Sequence, residues 1–151
     1  MGMFDDVTFA PGLLPPETPT FARKPGYRFQ TKDFDHPSID RYHVTADGRL
    51  EKYERTADGE KRVGEIPYHG DIDACAGNSV GGVAGHAFTL NGEDYEWIDL
   101  TLRFTNGQLE RITIKTAERH PALPMTHPLF WDRTATPATI AAALAERDAT
   151  A

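Results

Sequence analysis

The alternation of apolar and polar residues is sharpest in YEWIDLTLRFTNGQLERITIK, residues 95–115. Ile98, Leu100, Leu102 and Phe104 fall on one side and Trp97, Asp99, Thr101 and Arg103 on the other, the period-two signature of a half-buried strand. A return strand carries Ile112 and Ile114, with Asn106-Gly107 between the two as a hairpin signal. A two-residue loop would pair Leu102 with Arg111 and turn both isoleucines to the polar face. The pattern therefore predicts a three-residue loop with Gly107 as a bulge residue, pairing Leu100 with Ile112 and Ile98 with Ile114.

Shorter signals of the same kind precede this hairpin. Strands are predicted over residues 27–32, 39–45, 50–55, 60–66 and 70–76, the last with Ile72 and Ala74 pointing inward. Thr-Ala-Asp-Gly occurs at 45–48 and again at 56–59, two turn signals that suit a meander of consecutive antiparallel strands. Before residue 27 the prolines at 11, 15, 16, 19 and 25 remove too many N–H donors for regular structure, so residues 1–26 read as an extended arm held by Phe4, Phe9 and Phe21. After residue 116, Pro121, Pro124 and Pro128 mark a segment crossing the sheet, with Leu123, Leu129, Phe130 and Trp131 covering apolar surface. Thr136-Pro137 then opens a helix to about Asp148, with an apolar stripe of Ile140, Ala141 and Leu144. The expected fold is mainly β, of the α+β kind. It is one domain over residues 1–151, with an arm over 1–26, an antiparallel meander sheet over 27–116, and a proline-rich segment and C-terminal helix over 117–151.

Composition narrows the classes of function. A net charge of −7 argues against binding nucleic acid directly through its phosphates and suits an acidic surface that meets a basic protein partner. No run of about 18 apolar residues is present to span a membrane. Asp5 and Asp6 stand where a secretory leader would place lysines and an apolar stretch, so the expected location is cytoplasmic. The single Cys75 excludes an internal disulfide and a multi-cysteine zinc site. The glycine-rich loop GNSVGGVAG, residues 77–85, lacks the Lys-Ser or Lys-Thr ending of a phosphate-binding loop, and no cofactor is expected.

Three groups of residues carry candidate chemistry. His69, Asp71 and Asp73 form H-x-D-x-D, which on an extended strand puts imidazole and carboxylates on one face, a set that can hold a divalent metal. The same spacing also describes the wet side of a half-buried strand whose inward residue is Ile72. Lys32, Asp33 and Asp35, followed by His36, form an acidic cluster that could divide acid and base work or simply satisfy a turn. Tyr95, Trp97 and Asp99 are expected together on the outer face of the central hairpin, the composition of an interface anchor. No nucleophile elbow, zincin motif or kinase set is present.

Met3-Phe4-Asp5-Asp6-Val7, Phe29 to Asp35 and Ile39 to Leu50 together resemble a group of small uncharacterised proteins of proteobacterial genomes, phages and prophages. That group opens with M-F-D, carries Q-T-K-D or Q-T-K-S about thirty residues on, and closes on a hairpin that Trp97, Phe104, Gly107 and Leu109 match here. His36 stands where the group commonly has cysteine, and the glycine loop and the tail from about Glu118 depart from its pattern. The resemblance implies a mobile-element context and brings no catalytic residues. The leading expectation is an acidic protein-binding module, phage- or prophage-encoded, that docks on a host or phage protein, for example as an inhibitor of a defence or nucleic-acid enzyme. The alternatives are a metal-dependent hydrolase using His69, Asp71 and Asp73, and a phage structural or assembly accessory.

Overall fold

A computed structural model describes residues 4–34, 39–80, 85 and 87–150. The chain clusters into two compact units, Met1–Ala76 with Ile98–Ala117, and Gly77–Trp97 with Glu118–Ala151.

The first unit holds most of one large mixed sheet, of which residues 77, 95–97 and 118–120 fall in the second unit. The sheet's strands are β1 (Asp5–Phe9), β2 (Phe29–Thr31), β3 (Arg41–Val44), β4 (Leu50–Thr56), β5 (Gly59–Glu65), β6 (Gly70–Gly77), β8 (Tyr95–Thr105) and β9 (Gln108–His120). They lie in the order β5-β4-β3-β1-β2-β6-β8-β9. The meander is real for β3, β4 and β5, which pair antiparallel in succession across the two Thr-Ala-Asp-Gly turns. The arm is a correction. Residues 5–9 form a central strand, because Asp-Asp-Val-Thr-Phe alternates in front of the first proline and buries Val7 and Phe9. β1 pairs antiparallel with β2 through Val7 and Phe29, and parallel with β3 through Val7 and Tyr42. Consequently β2 and β3 are not neighbours, and the sheet is mixed.

Inward residues of these strands make one core, in which Val7, Phe29, Val44, Leu50, Ile72, Ile98, Leu100, Leu102 and Phe104 are fully buried. Each such side chain contributes about 1.5–3 kcal/mol relative to exposure. Leu13, Leu14 and Phe21, from the proline-rich stretch after β1, pack against its rim.

The central hairpin departs from the expected loop. β8 ends at Thr105 and β9 begins at Gln108, leaving a two-residue turn whose Asn106 (φ 47°) and Gly107 (φ 82°) are both left-handed, as a type I′ turn requires. Glycine is needed at 107 for a second reason, since a Cβ there would lie 2.2 Å from the carbonyl oxygen of Ile66. The isoleucines still reach the core. Leu109, Ile112 and Ile114 all pack against it while Glu110 and Arg111 are exposed in succession, so the alternation slips by one residue beyond the turn. The sheet curls until this hairpin tip meets the β3–β4 turn. Leu50 N–H donates to the Gly107 carbonyl at 2.9 Å, and Leu109 N–H donates to that of Gly48 at 2.7 Å.

In the second unit β7 (Phe88–Thr89) pairs parallel with β10 (Leu123–Pro124). Phe88, Leu123 and Ile140 form a small core of their own, with Leu129, Phe130 and Leu144 against it. The helix α1 (Pro137–Thr150) begins as the sequence predicts, with the Thr136 hydroxyl accepting the N–H of Thr139 at 3.2 Å. Ala143 rather than Ala141 completes its buried stripe. Trp131, expected to cover apolar surface, is instead 76% exposed, and Phe130 packs edge-on to Phe88 in its place. No described helix is long and apolar enough to cross a membrane.

Candidate functional site

Within the first unit, β2, β6 and β8 bring together residues far apart in sequence. Thr31 ends β2, and Lys32 and Asp33 continue it. β6 supplies Asp73, Ala74 and Cys75, with Cys75 opposite Gln30, and β8 supplies Asp99. These residues and Phe4 line an open pocket of about 230 Å³. Phe4 and the half-buried Cys75 give it apolar surface, and among the described residues three carboxylates stand around it.

Asp33 and Asp73 are held in place. Asp33 accepts the backbone N–H of Asp73 at 2.5 Å, which pins the end of β2 to β6. Asp73 in turn accepts the Thr101 hydroxyl at 2.9 Å and stands 3.4 Å from Lys115 Nζ. Burial, and then the negative charge of Asp99, raise the pKa of the Cys75 thiol, so it stays protonated at neutral pH and is a poor nucleophile. The pocket is suited to binding a cation through oriented carboxylates over an apolar base. Among its described lining residues there is no pair of nucleophile and base.

The sequence candidates separate into those the fold assembles and those it disperses. Lys32, Asp33 and Asp99 meet in the pocket, while Asp35 lies outside the described residues, as does His36. Tyr95 is a correction. It is buried, 7% exposed, and stacks on His120 with ring centroids 6.0 Å apart. The cause is a second slip in alternation. Asn78 Oδ1 takes the N–H of Glu96 at 2.6 Å, Glu96 and Trp97 are both half-exposed, and Tyr95 returns to the buried side. Trp97 lies against Gly77, where a Cβ would come within 2.7 Å of its ring. The expected aromatic patch of Tyr95 and Trp97 beside Asp99 is therefore not formed as read.

His69 and Asp71 both turn to Arg103, whose guanidinium nitrogens lie 3.5 Å from His69 Nε2 and 3.5 Å from Asp71 Oδ1. Asp73 belongs to the pocket. Among the described residues no three His, Cys, Asp or Glu side chains are grouped as a metal ion would need. Asp71 and Asp73 are exposed on either side of the fully buried Ile72, which is the wet side of a half-buried strand.

Two features were missed because residues 1–26 read as an arm. Asp5, 1% exposed, accepts the N–H of Asp40 at 2.9 Å, so the aspartate of the M-F-D opening serves the fold. Across β1 and β3, Thr8 Oγ1 lies 2.8 Å from His43 Nδ1 and accepts from Arg41 at 3.0 Å. Thr8 is only 3% exposed, and with Arg41 and His43 it lines a shallow pocket of about 250 Å³. Alternation on β3 was the available signal for His43 and Arg41, but it needed β1 beside it.

The fold and this site define a small, mainly β protein with an acid-rimmed surface pocket. No family model, curated protein or solved structure matches the chain.

Proposed function

We propose that this chain is a protein-binding module that docks onto a basic partner, with the pocket at Lys32, Asp33, Asp73, Cys75 and Asp99 receiving a lysine or arginine side chain. The observation that carries the reading is the pocket's chemistry. Among the described lining residues three carboxylates stand with the ammonium of Lys32 beside apolar surface, and Lys115 pairs with one of them, Asp73. A cationic side chain brings an apolar stem and a charged head, and so matches both parts of the pocket. The net charge of −7 supports approach to such a partner by long-range attraction. Blocking the phosphate-binding groove of a defence or nucleic-acid enzyme is a specific form of the same chemistry, because such grooves are lined by the same cations.

The test is capture from lysate of the source cells by the immobilised protein, compared with the Asp33→Asn, Asp99→Asn double variant. The expected result is one stoichiometric partner at low salt, released as ionic strength rises and lost with the variant. Capture that is indifferent to both changes, or none at all, contradicts the reading.

A further inference from the structure

We propose that β9 is a docking edge for an extended strand of another protein, one that alternates apolar and acidic side chains. The two edges of the large sheet are β5 and β9, and they are built differently. β5 reads GEKRVGE, carries charges on most positions and is bulged at Val63, since Lys52 pairs with Gly64 and Tyr53 with Arg62. Charge and bulging are the devices that stop one edge from pairing with another chain. β9 from 112 to 117 reads ITIKTA, with β-branched residues at 112, 113, 114 and 116, one charge, and neither glycine nor proline. Nothing in that stretch discourages a further strand.

A second feature lies on the same edge. A hollow of about 480 Å³ is lined by Pro15, Glu17, Ile112, Thr113, Ile114 and Ala117. Its described walls are β9 on one side and the proline-rich segment after β1 on the other. A strand laid along β9 would satisfy its outward backbone groups and drop every second side chain into this largely apolar hollow.

Charge selects the occupant. Beyond the slip in β9, Arg111, Thr113 and Lys115 alternate on the face opposite Ile112 and Ile114, and all three are exposed. Arg111 takes part in no ion pair among the described residues. A second copy of this chain is a poor match in the registers that centre the pairing on residues 113–115. Antiparallel self-pairing about Thr113 sets Arg111 against Lys115, about Ile114 sets Glu110 against Glu118, and about Lys115 sets Arg111 against Arg119. Like charges directly opposite destabilise a strand pair. A strand with Asp or Glu facing Arg111 and apolar residues facing the hollow satisfies both faces, while Lys115 already has a carboxylate partner in Asp73.

Lys115 is paired with Asp73 of the acidic pocket, so the test reads Arg111 and the β9 amides, neither of which lines that pocket, and the two readings fail separately there. The experiment uses the full chain and three blocked heptapeptides: alternating Val and Glu, alternating Val and Lys, and the Val/Glu peptide with N-methylated backbone. Binding is followed by anisotropy, and amide exchange by NMR. The Val/Glu peptide is expected to bind saturably and slow exchange of amides within 112–117, with the N-methylated form weaker by about tenfold or more. Arg111→Glu, at an exposed position, should reverse the preference between the Glu and Lys peptides. Three results would overturn the proposal: no saturable binding at about 1 mM, binding undiminished by N-methylation, or a concentration-dependent dimer protecting the same β9 amides without peptide.

Discussion

Two single residues hold more physical information than their letters suggest. Ile39 has φ 65°, a left-handed conformation that a β-branched residue adopts at a cost of about 1–2 kcal/mol. It is held there from the next position, where the buried Asp5 carboxylate takes the N–H of Asp40 and Asp40 accepts from Arg55 N–H at 3.1 Å. Comparing Ile39→Gly with Ile39→Ala isolates the backbone, since both lose the side chain. Glycine should be the more stable variant by about 1 kcal/mol in denaturant unfolding, the reverse of the usual order. Alanine as stable as glycine would remove the strain. His43 bears on pH. Burial and then Arg41 lower its pKa from the ordinary 6.5, while Glu51 opposes them. The unfolded chain therefore takes up the proton first as pH falls. Stability is full above about pH 6.5, declines below it, and levels once the folded state is also protonated. His43→Gln should flatten that part of the stability profile. An unchanged profile would assign the slope to other groups.

At the scale of elements, β1 carries the sharpest prediction. An arm lying on a finished sheet could be trimmed, whereas a strand between β3 and β2 cannot. Removing residues 4–10 should abolish cooperative unfolding and collapse the chemical-shift dispersion of β2 and β3. Retention of a folded core would restore the arm. The same element explains what was legible in the sequence. Ile98 to Phe104 and Ile72 with Ala74 were readable because their inward residues alternate without a break, and every one of them is buried. The turn signals at 47–48 and 58–59 gave the β3–β4–β5 meander directly. The failures have one physical origin. Period-two reading has no term for an extra residue, and slips at Glu96–Trp97 and Glu110–Arg111 changed which side chains face the core. Tyr95 was lost as a surface residue at the first slip. Ile112 and Ile114 reached the core through the second, although the loop has two residues and not three. Nor could local pattern foresee that five residues ahead of a proline-rich stretch would enter the middle of a sheet, because parallel pairing with β3 is a long-range choice.

At the scale of the molecule, the pocket exists only because the sheet order places β2 beside β6 and β6 beside β8. Lys32, Asp33 and Asp99 were singled out from sequence as parts of two unrelated groups, and Asp73 as part of a third. The fold makes them one site and takes Asp73 away from His69 and Asp71. That rearrangement moves the reading from metal chemistry towards recognition of a cation. The most direct measurement is an NMR titration of the labelled protein with a short oligoarginine peptide, with oligoglutamate as control. Saturable shifts at Lys32, Asp33, Asp73, Cys75 and Asp99, absent with oligoglutamate and weakened by salt, are the result expected of a cation-binding pocket. Shifts spread over the acidic surface with no focus on these residues, or none at the pocket, would contradict it.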